Sequence, residues 1–351
     1  MKSSYDEKDV EILLKDITGM VEPQPAEVRE KKIQSGTHYC EMIPLEYQPS
    51  EKYMKAYEYA LSQYAKDTAD AIARMSEKIY EKKRNNVVIV SLARAGLPIG
   101  ILSKRYLEKR HNIHIKHYSI SIIRGRGIDR NAMKYILAHN DASSIQFLDG
   151  WVGKGAIFRE LESELSEFQE VSRDLAVVSD PANITDLCGT HDDILIPSSC
   201  LNAVVTGLIS RTFLRGDIIG ENDFHGAVYY KELEKDDLSN IFLNEIEKNF
   251  DYSIESETIK GSLSGIDVVK RIAEDYEIGD INFVKPGIGE TTRALLRRIP
   301  WKVLINPNYS DTKDIAHILQ LAKEKKVPVE TCASDMGNYK VCGLIKKLAD
   351  I

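Results

Sequence analysis

Residues 145–161 read IQFLDGWVGKGAIFREL, and this stretch decides the fold of the chain around it. Its first four residues form an apolar run with the length of a buried strand, and the run ends at Asp149. Glycines at positions 150, 153 and 155 follow, before a helical pattern that begins near Ala156. Glycine lets backbone N–H groups approach an anion, and a helix N-terminus carries partial positive charge. The stretch therefore predicts a strand, a phosphate-binding loop and a helix.

The same order of strand, turn and helix recurs on both sides of this stretch. Apolar runs at 87–90, 113–123 and 175–180 each end in a turn, and a long helical pattern covers 50–83. This alternation is typical of an α/β protein with a parallel sheet and helices on both faces. Ligands of such sheets lie at the carboxyl ends of the strands. We therefore expect one crevice lined by the loops after Val90, Ile123, Leu148 and Val178.

Composition bounds the class of protein. The 351 residues are 43% hydrophobic and 29% charged, which is typical of a water-soluble globular chain. No apolar run approaches the ~20 residues of a membrane span, and the acidic start lacks the features of a signal peptide. Five cysteines without a CxxC pair argue against a disulfide framework or a cysteine-rich zinc site. We expect a cytoplasmic protein that has no membrane partner.

Charge divides the chain unevenly. The net charge is −7, yet residues 281–351 carry 12 Lys and Arg against 7 Asp and Glu. A basic C-terminal part could meet a polyanion, although a solvated helix surface explains the charge equally well. We expect an N-terminal helix and proline-containing linker at 1–35, a main domain at 36–235, an acidic connector at 236–255 and a smaller α/β domain at 256–351.

The loop after the decisive strand differs from a Walker A loop, which needs Gly at position 148 and Ser or Thr at position 155. Lys154 adds a positive charge at its tip. Trp151 could stack on a ligand or seal the loop against the core. A plain turn without a ligand is the alternative interpretation. The expected anion contacts are the loop residues Gly150, Trp151, Val152, Gly153, Lys154, Gly155 and Ala156.

This loop resembles that of a type I phosphoribosyltransferase, whose signature is an apolar strand, two acids and a small loop opening a helix. The resemblance implies a sheet of that type, with the loop holding the 5′-phosphate of phosphoribosyl pyrophosphate. Asp149 matches the first acid, which would meet the ribose hydroxyls and Mg²⁺, whereas Gly150 replaces the second. Mg²⁺ is accordingly the expected cofactor.

Two further segments carry the same resemblance. The string VVIVSLARAGLPIG (87–100) is similar to the family's pyrophosphate loop, which implies contacts from Ser91, Ala93, Arg94, Ala95 and Gly96. The string RGRGID (124–129) offers Arg124 and Arg126 to a pyrophosphate leaving group, and Asp129 could hold Mg²⁺ or orient an arginine. A simple turn between strand and helix is the alternative.

Four long strings resemble the phosphoribosyltransferase-like proteins of bacterial tellurite-resistance and stress operons. They are SGTHYCEMIPLE, HYSISIIRGRGID, FLDGWVGKGAI and LIPSSCLNAVVTGLISRT, and they span about 30–230. In the first string, His38 and Glu41 would form a hood over the substrate, unless they belong to a packed N-terminal segment. Other proteins of such operons are then possible partners.

A rival interpretation comes from the last of these strings. Apolar residues at 201–209 fall on one helix face with Ser198 as a possible N-cap, so Cys200 would lie in the first turn. The helix dipole favours a thiolate there, and His191 could act as its base, oriented by Asp192 or Asp193. Related stress proteins are named cysteine proteases of the StiP type, so the resemblance supports this interpretation as well. A small buried core residue is the simpler alternative for Cys200.

The C-terminal string VKPGIGETTRALLRRIPWKVLI (284–305) resembles a Pelota-type RNA-binding domain, a small α/β/α fold shared with K-turn-binding ribosomal proteins. The resemblance implies that a turn and a helix N-terminus meet a bent RNA backbone. A domain that binds protein, or only dimerises, is the alternative. The implied RNA contacts are Lys285, Gly287, Gly289, Glu290, Arg293, Arg297, Arg298 and Lys302.

Together these features favour a phosphoribosyltransferase-like enzyme of the glycosyltransferase class. It would bind phosphoribosyl pyrophosphate or a related phosphorylated ribose and make a nucleoside-like metabolite in a stress response. Its C-terminal module would bind structured RNA. Two alternatives stay open: a cysteine hydrolase that uses Cys200 and His191, and a non-catalytic RNA-binding sensor.

Overall fold

A computed structural model describes residues 1–257, 264–309 and 313–345. The chain begins with two short strands, β1 (Glu11–Ile12) and β2 (Lys15–Asp16), where the sequence predicted a helix. The first helix, α1 (Ala26–Gln34), begins directly after Pro25. The long α2 (Glu51–Lys83) follows where the apolar spacing predicted it, and the Ser50 hydroxyl caps it by accepting a hydrogen bond from the Tyr53 amide at 3.1 Å.

The central sheet is mostly parallel, as predicted. After α2 it receives the strands β3 (Val88–Ala93), β4 (Lys116–Ile123), β5 (Gly127–Ile128), β6 (Ile145–Trp151), β7 (Leu175–Ser179) and β8 (Cys188–Thr190). The order across the sheet is β1-β4-β3-β6-β7-β8, and all these neighbours run parallel. The short β5 pairs antiparallel with β4. Its phosphoribosyltransferase-like character stays a prediction.

Helices cover both faces of this sheet. They are α2, α3 (Gly96–His111), α4 (Arg130–His139) and α5 (Ala156–Leu165). Ile89 of β3 packs in one hydrophobic cluster with α2 and α3, whereas its neighbours Val88 and Val90 pack in another with α4 and α5. Side chains alternate across a strand, so these buried strands are apolar on both faces.

The prediction of a helix over 198–209 is wrong. Two single 3₁₀ turns stand there, Pro197–Cys200 and Ala203–Val205. The carbonyl of Cys200 accepts a hydrogen bond from the Tyr53 hydroxyl at 2.6 Å, and Leu208 has a left-handed φ of 59°. The left-handed φ is incompatible with a continuous helix, and the Tyr53 contact holds the chain at the preceding turn. The chain then forms β9 (Gly226–Ala227), paired with β2, and α6 (Ser239–Lys248) within the expected connector.

A smaller α/β unit completes the described chain. Its elements are α7 (Gly265–Asp275), β10 (Val284–Pro286), α8 (Gly287–Arg297), β11 (Pro300–Ile305), α9 (Ala316–Glu324), β12 (Val329–Thr331) and β13 (Val341–Ile345). The four strands have the order β10-β13-β11-β12. The start of the helix predicted from residue 263 and the last predicted helix lie outside the described residues. Among the described helices, none combines the length and apolarity that a bilayer crossing requires.

Candidate functional site

A cavity of about 290 Å³ lies between the loop after β6 and helix α8. A chamber of about 130 Å³ adjoins it and shares Asp149 and Arg211 as lining residues. The loops after β3, β4 and β6 all reach these spaces, as the position of the strand ends predicted. The loop after β7 turns elsewhere, because Asp180 accepts hydrogen bonds from the amides of Ile184 and Thr185 at 2.6 and 2.8 Å.

The predicted anion loop lines the larger cavity, from Trp151 to Ala156. Gly155 has a φ of 77°, a conformation that glycine adopts without strain. A side chain at Gly153 would place its Cβ 2.7 Å from Cγ of Glu290, so only glycine allows this approach to α8. Within the described residues, the amides of 153–155 donate to no protein acceptor, and α5 begins without a side-chain cap.

Lys154 and Asp149 behave differently from what the loop pattern predicted. The Lys154 ammonium donates to the carbonyls of Ile281 and Val284 at 2.5 and 3.1 Å, so it ties the loop to the C-terminal unit. Burial lowers the pKa of Lys154 to about 8. The Asp149 carboxylate accepts a hydrogen bond from the Gly150 amide at 2.7 Å, and burial raises its pKa to about 6.

Two predicted ligand contacts have structural roles instead. The Ser91 hydroxyl is buried within the sheet, 2.8 Å from Nε2 of His117. Asp129 caps α4 by accepting hydrogen bonds from the amides of Asn131 and Ala132, and its other oxygen accepts from the His225 amide. The prediction that Asp129 holds Mg²⁺ or an arginine is therefore wrong, because main-chain donors occupy both its oxygens.

The remaining candidate for Mg²⁺ is Asp149. It faces Arg293, whose charge lowers the pKa of Asp149 against the effect of burial. Within residues 1–257, 264–309 and 313–345, no group of three or more His, Cys, Asp and Glu side chains could hold a metal ion by itself. Mg²⁺ is usually held by one or two carboxylates together with waters and substrate phosphates, so its binding at Asp149 stays a prediction.

The predicted pyrophosphate arginines bind protein groups. Arg94 forms a buried ion pair with Glu46 at 2.9 Å, while its Nε has no partner. Arg126 pairs with Glu41 at 3.2 Å, and Arg124 donates to the Asn282 side chain at 2.8 Å. In the loop that carries Arg94, a Cβ added to Gly96 would lie 2.7 Å from the Leu148 carbonyl oxygen, so this position requires glycine. Ala95 lines the cavity beside it.

The face predicted to bind RNA is turned toward the N-terminal body. Gly289 packs so closely on Trp151 that an added Cβ would lie 2.2 Å from the indole ring, and Arg293 lies 4.3 Å above that ring. Trp151 thus seals the contact between the loop and α8. Arg297 donates to the Asn202 side chain at 2.7 Å, and Arg298 donates to Glu30 at 2.8 Å. RNA contact by these side chains is incompatible with this arrangement.

Positive charge dominates the cavity. Two carboxylates line it, Asp149 and Glu290. Seven cationic side chains line the same space: Arg124, Lys154, Arg211, Lys285, Arg293, Arg297 and Arg298. Burial lowers the pKa of Lys285 to about 7 and that of Arg211 to about 9. These positive charges lie close together, and their mutual repulsion is unfavourable unless an anion binds among them.

The predicted thiol pair is not formed. Cys200 is fully buried in a hydrophobic cluster, and burial raises its pKa. Nδ1 of His191 lies 2.9 Å from the Asp180 carbonyl, and Nε2 lies 3.6 Å from Sγ of Cys188. Of the two acids expected to orient His191, Asp193 instead accepts from the amide of Ile288. The prediction that Cys200 and His191 act together is corrected by these contacts.

Cys188 lies close to His191, but its thiol is packed in apolar surroundings. The Cys188 side chain belongs to a hydrophobic core cluster, and burial raises its pKa to about 12. Its neighbour Gly189 packs directly against α2, where an added Cβ would lie 2.1 Å from the Ala71 carbonyl oxygen. This thiol therefore lies between sheet and helix, away from the cavity lining.

A second thiol–imidazole pair lies beside the cavity wall. Nδ1 of His38 lies 2.9 Å from Sγ of Cys40, and Nε2 of His38 lies 3.1 Å from the Arg124 carbonyl. Cys40 is buried, yet its charged neighbours include Arg126 and Arg211. The residue between the pair, Tyr39, lines both the cavity and its adjoining chamber.

Comparison with known proteins identifies the family. Residues 3–247 match the family model described as tellurite-like stress resistance cysteine protease StiP, and residues 263–347 match the PELOTA RNA binding domain. The chain is 33% identical over 367 residues to the cysteine protease StiP of Acinetobacter baylyi, covering 98% of this chain and 94% of that protein. The chain belongs to the StiP family.

Membership of the StiP family corrects the expected reaction class. Both the family and the relative are named as cysteine proteases, which points to a hydrolase, so the glycosyltransferase expectation is wrong. Sequence reasoning also missed Cys40 and Arg211. The His-Tyr-Cys order at 38–40 was a usable signal for Cys40, because it places an imidazole two residues from a thiol. No local pattern marked Arg211, which reaches the cavity from a loop distant in sequence.

Proposed function

We propose that this StiP-family chain is a cysteine hydrolase in which Cys40 is the nucleophile and His38 the general base. The observation that carries the proposal is the 2.9 Å contact between Nδ1 of His38 and Sγ of Cys40. A thiol within hydrogen-bond reach of an imidazole, itself oriented by a third group, is the arrangement that activates a cysteine nucleophile. The Arg124 carbonyl is the third group here.

The tautomer of His38 follows from its partners. The Arg124 carbonyl can only accept a hydrogen bond, so Nε2 carries the proton and donates to it over 3.1 Å. Nδ1 then has a lone pair, which also accepts from the Cys40 amide at 3.4 Å. The same lone pair faces the Cys40 thiol, so the thiol proton has a base to receive it.

The charge state of the pair supports base catalysis. Burial lowers the pKa of His38, so the ring is neutral near pH 7. Burial raises the pKa of Cys40 to about 11, whereas Arg126 and Arg211 lower it. The resting pair is therefore neutral, and the arginines stabilise the thiolate as it forms.

The reaction proceeds in two steps, acylation of the Cys40 thiol and hydrolysis of the resulting thioester. The thiol proton moves to Nδ1 of His38 while Sγ of Cys40 attacks the substrate carbonyl carbon. The C–N bond then breaks, the imidazolium gives its proton to the leaving amine, and a thioester forms. Water, deprotonated by the same nitrogen, attacks the thioester, and the C–S bond breaks to give a carboxylic acid and the thiol.

A substitution series tests this proposal. Hydrolysis of fluorescein-labelled casein is measured for Cys40→Ser and for the matched variants Cys188→Ser and Cys200→Ser. Of the three cysteine variants, only Cys40→Ser should lose activity, by a factor on the order of 10² or more. His38→Gln, which keeps a donor for the Arg124 carbonyl, should lose a similar amount. Retained activity in Cys40→Ser, with loss in Cys188→Ser, would move the nucleophile to the other thiol pair.

We further infer that the C-terminal unit binds RNA, supported by its match to the PELOTA RNA binding domain. Since α8 faces inward, another surface must make the contact. Trp301 on β11 is 38% exposed, and the Lys302 ammonium lies 4.7 Å from its ring. An exposed aromatic ring is a surface on which a base can stack, whereas the Lys302 ammonium already pairs with Glu330 at 2.6 Å. Lys302 is the one predicted RNA residue on this surface.

A further inference from the structure

The cavity between the β6 loop and α8 shares Arg124 and Arg211 with the proposed Cys40 site, but the reaction proposed for Cys40 gives no role to its other cationic side chains. Its lining comes from both parts of the chain: Arg211 and the 151–156 loop from the N-terminal body, and Lys285 and Arg293 from the C-terminal unit. A space of about 290 Å³ is at the lower end of small-ligand sites and is too small for a folded RNA.

The charges of this cavity are not balanced by the protein. Within the described residues, neither Lys285 nor Arg211 forms an ion pair, and Arg211 rests 4.3 Å from the Tyr39 ring instead. In the adjoining chamber, the side chain of Arg94 is almost fully buried and its Nε has no hydrogen-bond partner. Lys285 and Arg211 are half-buried, and positive charges crowded together without carboxylate partners are unfavourable, so an anion is expected among them.

The backbone of the loop offers donors to the same ligand. The amides of 153–155 are without protein acceptors in the described chain, and the uncapped N-terminus of α5 follows them. Successive free amides at a helix start bind phosphate oxygens. The loop and the cations thus face one space from opposite sides.

We infer that this cavity binds a small anion carrying two phosphate groups, gripped jointly by the 153–156 loop with Arg211 and by Lys285 with Arg293. Seven cationic side chains and two carboxylates line the cavity, and Arg298 pairs with Glu30 outside it, so about four positive charges have no acidic partner, which two phosphate groups match better than one. The anion bridges the N-terminal body and α8, so its binding stabilises their contact. This inference does not depend on the proposed hydrolase.

Calorimetry and thermal unfolding of the full chain test the inference, with inorganic pyrophosphate and a nucleoside diphosphate as separate ligands. Lys285→Met and Arg211→Gln remove one charge from each side of the cavity, and each should weaken binding about tenfold. Lys323→Met, an exposed lysine on α9, is the matched control on the same unit and should bind as the unaltered protein does. Tighter binding of pyrophosphate would indicate an inorganic ligand, and tighter binding of the nucleoside diphosphate would indicate an organic one.

Two results would overturn the inference. One is the absence of heat and of any rise in unfolding temperature with both ligands at millimolar concentration. The other is equal weakening by Lys285→Met and Lys323→Met, which would indicate non-specific attraction. If one cavity variant fails to fold, the other still reports, because Arg211 and Lys285 lie on different units. Cys40→Ser should bind pyrophosphate normally, so failure of the hydrolase and failure of the anion site are distinguishable.

Discussion

The carboxylate of Asp193 caps the first turn of α8, with Oδ1 and Oδ2 at 3.0 and 3.2 Å from the backbone nitrogen of Ile288. Its Oδ2 also accepts from the Lys340 amide at 2.9 Å. Negative charge at a helix N-terminus is favourable, because the first amides lack partners within the helix. A single buried side chain of the N-terminal body thus fixes the position of the helix that lines the cavity.

This carboxylate should make stability depend on pH. Burial raises the pKa of Asp193 to about 7, although the amides of Ile288 and Lys340 lower it. The folded protein therefore binds this proton more tightly than the unfolded chain, whose Asp pKa is about 3.9. The free energy of unfolding should fall as pH rises from about 4 to about 7. Urea unfolding of Asp193→Asn should show a weaker decline.

The matched control is Asp192→Asn, which alters an exposed neighbour. It should keep the pH dependence of the unaltered protein. An identical slope in Asp193→Asn and the unaltered protein would contradict the prediction and assign the slope to other groups, of which Asp149, with its pKa raised to about 6 by burial, is the nearest in character.

Access to the Cys40 thiol should depend on Glu160. The turn at 124–127 covers His38, and Glu160 holds it by accepting from the amides of Gly125 and Gly127 at 2.7 and 2.9 Å. Glu160→Ala removes two charge-assisted bonds, so the turn should open more often and Cys40 should label with iodoacetamide on the order of tenfold faster. Peptide mapping by mass spectrometry gives the rate for each thiol.

Glu162→Ala on the same helix serves as the comparison, because that side chain is exposed and holds no turn. Its labelling should match that of the unaltered protein. If Glu160→Ala accelerates Cys188 and Cys200 as much as Cys40, the substitution has loosened the whole fold, and the turn is not the barrier.

The parallel sheet was predictable because its signal is local. Each strand of the centre is a short apolar run, and alternate residues such as Ile89 and Val90 serve opposite faces. The helix predicted over 198–209 is excluded by the left-handed φ of 59° at Leu208, and the turn before it is held by a contact from far away in the chain. The Tyr53 hydroxyl, from a helix about 150 positions away in the chain, takes the Cys200 carbonyl, and no window of sequence around Cys200 contains that information.

The site was predictable only in part, because its charged side chains bind partners that are distant in the sequence. The glycine loop was placed correctly at the cavity, yet Lys154 turns to carbonyls of the C-terminal unit instead of a ligand. The resemblance to a Pelota-type domain implied that Arg297 and Arg298 contact RNA. Their partners, Asn202 and Glu30, are far away in sequence and reverse that interpretation.

RNA affinity should therefore depend on Trp301 and hardly on the two arginines of α8. Trp301→Ala should weaken binding of a kink-turn RNA about tenfold, because an exposed ring that stacks on a base is lost. Arg298→Ala should leave the affinity unchanged but lower stability by about 3 kcal/mol, since it strands the buried carboxylate of Glu30. Filter binding and urea unfolding measure the two effects.

Tyr59→Ala offers a control for the loss of an exposed ring, because Tyr59 is 44% exposed on α2 of the N-terminal body. It should not change RNA binding. Loss of RNA affinity in Arg298→Ala at a temperature where the protein is fully folded would show that α8 does reach RNA, and the inward-facing arrangement would then be one of two states.

Binding of pyrophosphate should take up a proton at Lys285. Burial, together with the nearby cations Lys154, Arg298 and Arg124, lowers the pKa of Lys285 to about 7, against the opposing effect of Glu290. A bound anion favours the charged ammonium and raises this pKa. Affinity should accordingly fall as pH rises from about 7 to about 9, where the free protein carries a neutral amine that must be protonated on binding.

Calorimetry in buffers of different ionisation enthalpy measures that proton directly. Pyrophosphate contributes equally with and without the Lys285→Met substitution, and Lys154, whose charge acts on Lys285, is replaced by Met in both proteins that are compared. The difference in proton uptake between the two proteins therefore isolates Lys285, and it should be largest near pH 8. Equal uptake in both would mean that Lys285 keeps its charge state on binding, so that the anion sits nearer to Arg211 and the loop amides than to the C-terminal unit.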